Sequence, residues 1–387
     1  MKKLKVGAVG LGRAFSLMAP TLAADSRVAL VAAADPRPDA RQRFEQEFGG
    51  KAYATPEELC RSDVDAVYIA TPHQFHAEQA RLACAHGRHV LVEKPMALTL
   101  QECRSMADAA RAAGVHIVVG HSHSFDLPIL KTKGLVDTGE YGAVRMITAI
   151  NYTDFLYRPR RPEELDTARG GGAVYNQAAH HVDIARLLAG GMTKSVRAAT
   201  GAWDPARPTE GAYTALLTFE NGVFASLTYS GYAHFDSDEL TGWIGEAGQK
   251  KDPQAYGATR KALTGDELEA KNRRNYGGAA YVSPPGGLLH QHFGLVIVSC
   301  ERADFYPLPH GVMVYGDAEK RLEPLPPPKV HRAEVIDELY AAAVEGRPPL
   351  HDAAWGMATT EVMLAMLESA RRGSDVALHH QVPVSRS

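Results

Sequence analysis

Lys5-Val6-Gly7-Ala8-Val9-Gly10-Leu11-Gly12-Arg13-Ala14-Phe15 is the stretch that decides the fold. Its first five residues read as a short, mostly apolar strand, and two glycines one residue apart follow at once. The loop begins the G-x-G-x-x-G pattern of a dinucleotide-binding turn, but Phe15 stands where the third glycine is expected. The flanking sequence supplies the context that glycines alone lack. A helix is predicted over Arg13 to Ala24, interrupted at Pro20, and a second strand over Val28 to Ala34 ends in Asp35. Gly10 and Gly12 would let the backbone approach a pyrophosphate, whose charge is favourable at the following helix N-terminus. Asp35 lies where a carboxylate can accept from adenosine ribose hydroxyls and repel a 2′-phosphate, which favours NAD over NADP. Arg37 weighs the other way, since a guanidinium there can accommodate that phosphate. The plainer alternative is that Asp35 only opens the turn Asp35-Pro36-Arg37-Pro38.

The alternation continues downstream. Helices are predicted at Asp39 to Phe48, Ala77 to His86 and Thr99 to Ala113, and strands at Ala66 to Ala70, His89 to Val92 and Val115 to Val119. Strands alternating with such helices imply a parallel sheet covered on both faces. Leu91-Val92-Glu93-Lys94-Pro95-Met96 then falls at a strand's C-terminal end, where open α/β sheets bind ligands. Proline restricts the residue before it, so Lys94 is held rather than left to wander, although a solvated Glu-Lys turn has the same composition.

These residues resemble the Gfo/Idh/MocA oxidoreductases. The resemblance rests on Gly10-Leu11-Gly12, on Ala70-Thr71-Pro72 with His76, on the A-x-x-A-x-x-x-G pattern from Ala80 to Gly87, and on Glu93-Lys94-Pro95. It implies that Lys94 lies beside the nicotinamide and the substrate. The cofactor contacts expected are Gly10, Gly12, Arg13, Ala14, Phe15, Asp35, Arg37, Thr71, Pro72, His73, His76, Glu93 and Lys94.

Beyond His121 the pattern changes to longer strand-like runs, Val144 to Tyr152, Ala212 to Phe219 and Val223 to Tyr232. The expected architecture is an α/β Rossmann domain over 1–123 and an α+β domain over 124–387 with an open, mainly antiparallel sheet. The family likeness implies that one sheet face serves the active site and the other oligomer contacts, as a homodimer or homotetramer. Gly170-Gly171-Gly172-Ala173-Val174-Tyr175-Asn176-Gln177-Ala178-Ala179-His180-His181-Val182-Asp183 is similar to the family's G-G-G-x-L-x-D-x-G-x-H-x-x-D, a glycine turn entering a helix. Asn176 and His180, four apart, would share a helix face. The likeness implies a carboxylate at position 176. Asn176 can orient a hydroxyl there but cannot take its proton. His180 is therefore the expected base, with Lys94 as the alternative or as a stabiliser of the alkoxide. His181 would point elsewhere and serve packing.

Upstream, Tyr157-Arg158-Pro159-Arg160-Arg161-Pro162 stiffens three arginines with two prolines. Arginine presents a planar fork suited to carboxylates, so Tyr157, Arg158, Arg160 and Arg161 are candidate contacts for a dicarboxylate. An exposed loop paired with Glu163 and Glu164 is the alternative. Together with the histidine segment, the loop resembles the dihydrodiol dehydrogenases of phthalate degradation within the family. That implies oxidation of cis-4,5-dihydro-4,5-dihydroxyphthalate to 4,5-dihydroxyphthalate. A polyol or sugar dehydrogenase of the inositol type and a non-catalytic NAD-binding regulator are the rival readings.

Composition sets outer limits. With 387 residues, 45% hydrophobic and 22% charged, the chain has room for two or three ordinary globular domains. A net charge of −3 gives no footprint for nucleic acid. No apolar run approaches membrane-spanning length, and the basic start Met1-Lys2-Lys3-Leu4-Lys5 leads into a strand rather than a signal core, so a cytoplasmic location is expected. Cys60, Cys84, Cys103 and Cys300 lack metal or redox spacing and read as reduced and structural. His121-Ser122-His123 lacks a third ligand for a metal, so His123 is expected only to line the substrate cleft. Gly245 to Gly278 reads as an extended or partly mobile polar insertion able to cover the site or reach a neighbouring subunit. Pro324 to Pro328 reads as a linker before amphipathic helices at His331 to Val344 and Ala353 to Arg372.

Overall fold

The computed structural model describes residues 3–282 and 289–384; Met1 and Lys2 of the basic start lie outside them. Two compact units emerge. The first comprises Met1–His121 and, returning later in the chain, the described part of Leu268–Pro285 and Val330–Thr360. The second takes Ser122–Glu267, the described part of Gly286–Lys329, and the chain from Glu361. The chain therefore first leaves the first unit between His121 and Ser122 and returns to it later, so a single division near 123/124 does not describe both crossings.

In the first unit, in chain order, come β1 (Leu4–Val9), α1 (Arg13–Ala24), β2 (Val28–Ala34), α2 (Pro38–Phe48), β3 (Lys51–Tyr53), α3 (Pro56–Cys60) and β4 (Ala66–Ile69). They are followed by α4 (His76–Ala85), β5 (His89–Val92), α5 (Leu100–Ala113) and β6 (Ile117–Val119). The six strands pair in parallel in the order β3-β2-β1-β4-β5-β6. Every residue of β4 is buried, as a strand covered on both faces requires. Thr99 and Glu102 start α5 with a reciprocal capping box, and Gly114, at φ +64°, ends it. That end uses the Val115 amide, which donates to Ala110 O at 3.0 Å, so β6 begins at Ile117 rather than Val115. Helix α1 runs through Pro20 without interruption. Pro20 is exposed, and burial of Phe15, Met18, Ala19 and Leu22 outweighs the one backbone bond a proline removes.

The 245–278 stretch is not an extended insertion. It forms short helices Ala258–Ala262 and Glu267–Arg274, and Tyr276 then packs into the first unit. Tyr276 is completely buried. Its ring meets Phe15 at 5.0 Å and Phe48 at 6.4 Å, and its hydroxyl donates to Glu47 Oε2 at 2.9 Å.

The second unit contains α6 (Leu127–Asp137), β7 (Val144–Tyr152), α7 (Ala179–Ala189), β8 (Thr193–Gly201), β9 (Ala212–Phe219), β10 (Phe224–Ser230), β11 (Leu295–Cys300), β12 (Ala303–Leu308), β13 (Gly311–Gly316), β14 (Lys320–Pro324) and β15 (Val376–Ala377). Their order is β14-β13-β12-β11-β7-β10-β9-β8-β15, antiparallel except between β7 and β10. Burial alternates along β9 and β10, so the sheet has one core face and one open face. The late helices span Ala333–Val344 and Ala353–Arg372.

Candidate active site

The glycine loop builds the cofactor side. Gly10 has φ +89°, and a Cβ there would lie 2.8 Å from Thr71 Cγ2, so no other residue fits. Around a Cβ placed on Gly12, by contrast, no described atom beyond its neighbours comes within 4 Å. Gly12 precedes α1 and gives it no side-chain cap, so its own position leaves the first-turn amides uncovered. That donor set and clearance fit a pyrophosphate. Arg13 and Ala14 occupy the first turn, the former exposed and the latter half-buried. Phe15 does not join them. Its side chain is wholly buried against Phe44, Phe48 and Tyr276, where an aromatic ring gains more than a loop contact would offer.

Asp35 is buried and hydrogen-bonded on both oxygens. It accepts from Leu11 N at 2.8 Å, Arg37 N at 2.9 Å and Arg37 Nε at 3.1 Å. Arg37 also donates to Leu11 O at 2.8 Å and Tyr276 O at 3.1 Å, so its fork is committed to protein groups.

Lys94 is half-buried between two fixed neighbours. Before it, Glu93 accepts from Tyr68 Oη at 2.7 Å, and burial raises its pKa from the ordinary carboxylate value. After it, Pro95 O lies 2.9 Å from His76 Nδ1, while His76 Nε2 lies 3.0 Å from Thr71 O. His76 is completely buried, and burial lowers its pKa. It ties the Thr71 loop to the Lys94 loop instead of presenting a ring to a bound molecule, and Glu93 likewise faces inward. Thr71 donates to Gln79 Oε1 at 2.6 Å, and Pro72 leads into a single turn at His73–Phe75 that sets the His73 ring 5.7 Å from His76.

The second unit holds a histidine constellation. Gly172, at φ +81°, can have no Cβ because the Glu210 carboxylate occupies that position. Glu210 accepts from Val174 N at 3.0 Å and from Thr209 and Thr167, placing a buried carboxyl, its pKa raised by burial, at the start of the site helix. Val174–Ala178 form a π-helical turn that runs into α7. Asn176 Nδ2 donates to Gly172 O at 2.8 Å, which directs that amide edge at the glycine turn. His180 follows one turn later. Its ring meets His123 edge-on at 4.7 Å and Phe293 at 4.7 Å. His181 is fully buried beside Tyr213 Oη at 3.0 Å, and burial, aided by the nearby His123, lowers its pKa to about 3.

Asp183 accepts from the hydroxyls of Ser122 and Ser124, which flank His123, and Asp126 Oδ2 lies 2.6 Å from His123 Nδ1. Sequence reasoning had singled out neither Glu210, Asp126, Tyr68 nor Phe293. The i,i+3 spacing of His123 and Asp126 carried a signal; the others are joined only by the fold.

The arginine segment is largely paired with its own surroundings. Arg158 meets Asp154 at 2.7 Å and Glu246 at 3.6 Å, and Arg161 meets Glu163 at 2.8 Å and Glu164 at 3.6 Å. Tyr157 donates to Asp204 at 2.6 Å beneath the Arg260 guanidinium. Arg160 differs. Its side chain is 10% exposed, its carboxylate neighbour Glu164 is 3.8 Å away, its Nε and Nη2 donate to Phe155 O, and its guanidinium lies 3.7 Å over the Phe155 ring. Burial lowers its pKa to about 10. From Phe155 the ring contacts run through Tyr229 to Phe293, and so to His180. Among the described residues, no cluster of three or more His, Cys, Asp or Glu is placed to hold a metal ion, and no helix is long and apolar enough to cross a membrane.

A parallel sheet with an open glycine loop, in one chain with a mixed sheet bearing a histidine helix, defines a dinucleotide-dependent oxidoreductase. Residues 4–121 match the oxidoreductase family with the NAD-binding Rossmann fold, GFO/IDH/MocA, and residues 129–249 match its C-terminal domain. A 1-carboxy-3-chloro-3,4-dihydroxycyclohexa-1,5-diene dehydrogenase of Comamonas testosteroni is 48% identical over 95% of both chains. A crystal structure described as a dehydrogenase from Bordetella bronchiseptica RB50 is 44% identical, covers 97% of this chain and 100% of its own, and superposes with a TM-score of 0.92. A myo-inositol 2-dehydrogenase of Thermotoga maritima is 30% identical over 50% of this chain and 57% of its own. The chain belongs to the Gfo/Idh/MocA oxidoreductase family.

Proposed function

We propose that this protein oxidises a carboxylated cyclohexadiene cis-diol to the corresponding catechol, with cis-4,5-dihydro-4,5-dihydroxyphthalate as its substrate. The observation that carries the reading is the 48% identity, over nearly the whole chain, to a dehydrogenase named for such a ring diol carboxylate. The geometry supports an anionic substrate at Arg160, a buried cation with a distant counter-ion at the end of a ring series leading to His180. NAD, when bound, accepts the hydride from the carbinol carbon. His180 takes the hydroxyl proton, Lys94 donates a hydrogen bond to the developing oxyanion, and Asn176 orients the diol. The C–H and O–H bonds break as C=O forms, and tautomerisation to the aromatic catechol drives the direction. Asp35 and the commitment of Arg37 to Asp35, Leu11 and Tyr276 favour NAD over NADP.

The polyol reading draws on the internal pairing of Arg158 and Arg161, which leaves only one arginine suited to a carboxylate. Purified protein given the dihydrodiol, with NAD and NADP in parallel, is expected to reduce NAD rapidly, and Lys94→Ala or His180→Ala to abolish turnover. Turnover of inositol without the dihydrodiol supports the polyol reading, and cofactor binding without turnover of either supports a regulator. Met146, Leu216 and Phe224, exposed together on the open sheet face, favour a homodimer or homotetramer through that sheet.

A further inference from the structure

We infer that His123 and Asp126 form a working pair beside His180, in which Asp126 positions His123 and His123 accepts a hydrogen bond from the second hydroxyl of a vicinal diol. The inference rests on the diol reading above and goes beyond it by naming what recognises the second oxygen.

Three observations carry it. First, His123 is held from several sides. The hydroxyls on both flanks, Ser122 and Ser124, bond the same carboxylate, Asp183, one turn beyond His180. Phe293 lies nearly parallel to the His123 ring at 5.1 Å and also abuts His180, so one aromatic plate backs both imidazoles. Second, the Asp126 carboxylate is buried, and its bond to His123 Nδ1 at 2.6 Å is to a donor, since an ionised carboxylate only accepts. In a neutral ring opposite an ionised Asp126 the proton sits on Nδ1, and Nε2 is the nitrogen that carries the accepting lone pair. Third, the two rings are 4.7 Å apart, edge to face. Two oxygens on adjacent ring carbons can each be met by one of two imidazoles so spaced, whereas a lone hydroxyl can use only one.

The pair also accounts for Asn176. The position at which the family resemblance implies a carboxylate has none, and its amide is turned to Gly172. Asp126 returns a buried carboxylate to the constellation, acting through an imidazole instead of directly.

Asp126→Asn tests this, because an amide in the carboxylate's place can donate to Nδ1 and move the proton to Nε2, turning an acceptor into a donor. In full-length protein labelled with ¹⁵N-histidine, with the His123 signals assigned by their loss in His123→Gln, wild type is expected to show the Nδ1–H tautomer and Asp126→Asn the Nε2–H tautomer. For kcat/KM, Asp126→Asn and His123→Gln are expected to lose about 10- to 100-fold on the cis-dihydrodiol, and under about 3-fold on the analogue with hydrogen in place of the second hydroxyl. Asp126→Glu is expected to restore the preference for the diol. An Nε2–H tautomer in wild type, or equal losses on diol and analogue while wild type turns over both, overturns the inference and leaves the proposed function standing. Wild type without diol turnover overturns both.

Discussion

Asp183→Ala probes the clamp that sets the histidines against each other. The carboxylate is buried, 4% exposed, and accepts from Ser124 Oγ at 2.7 Å and from Ser122 Oγ. A hydrogen bond to a charged acceptor contributes about 1.5–3 kcal/mol, and a buried donor left without one costs a similar amount. The two losses are not independent, because the serine hydroxyls are 2.6 Å apart and one can turn to the other once the carboxylate is gone. One bond is then lost in full and the other in part, a destabilisation of about 2–4 kcal/mol. For a folding unit of about 150–250 residues this lowers Tm by roughly 4–16 °C. Scanning calorimetry checks the magnitude, with Asp183→Asn, which keeps one acceptor oxygen, expected to lose about half as much. The kcat on the dihydrodiol should fall with Tm, because Ser122 and Ser124 flank His123. A Tm for Asp183→Ala within about 2 °C of wild type would refute the clamp, since even one charge-assisted bond exceeds that shift.

Gly12→Ala is expected to leave Tm nearly unchanged, since no described atom beyond its neighbours lies within 4 Å of the new Cβ, yet to weaken NAD at least about 10-fold by filling the space over the first-turn amides. Calorimetric titration with NAD checks this, and an unchanged Kd would mean that the loop does not hold the pyrophosphate. His181 gives a pH signature. Its folded pKa of about 3 lies below the unfolded value of about 6.5, so the unfolded chain binds the extra proton between the two. Stability is then full above pH ~6.5, falls by up to about 1.4 kcal/mol per unit as pH drops, and levels off near pH ~3. Urea midpoints across that window should show a shallower acid limb in His181→Gln, and an unchanged slope would show that His181 is not buried in its neutral form.

Much of the first unit was legible because its physics is local. Ala66–Ile69 and residues 90–92 are buried on both faces and read as unbroken apolar runs, while Thr99 and Glu102 announce a helix start three residues apart. The errors there came from contacts that sequence spacing does not carry. Pro20 reads as a break, yet it lies on the exposed side of a helix whose other side buries Phe15 and Met18. Phe15 reads as part of the cofactor loop, yet its partners Phe44, Phe48 and Tyr276 lie up to hundreds of residues away and draw the ring inward. Tyr276 itself is one aromatic in a polar stretch, with no periodicity to mark it.

The histidine constellation divides along the same line. Asn176, His180 and Asp183 sit at helical spacing, so their common origin on one turn-and-helix segment could be read directly. What each does depends on groups from other elements: Glu210 on the glycine turn, Ser122 and Ser124 on Asp183, Phe293 behind both rings. The arginines show the converse. Three in a row suggest a dicarboxylate clamp, but Asp154, Glu246, Glu163 and Glu164 engage Arg158 and Arg161 at short range, and only Arg160 is both buried and distant from its counter-ion. A clamp built on one such arginine needs one substrate carboxylate, not two. Discrimination between a ring diol with one carboxylate and one with two must then come from shape and from Arg158 or Arg161 leaving their present partners, which makes the monocarboxylate diol the informative companion substrate in the turnover assay.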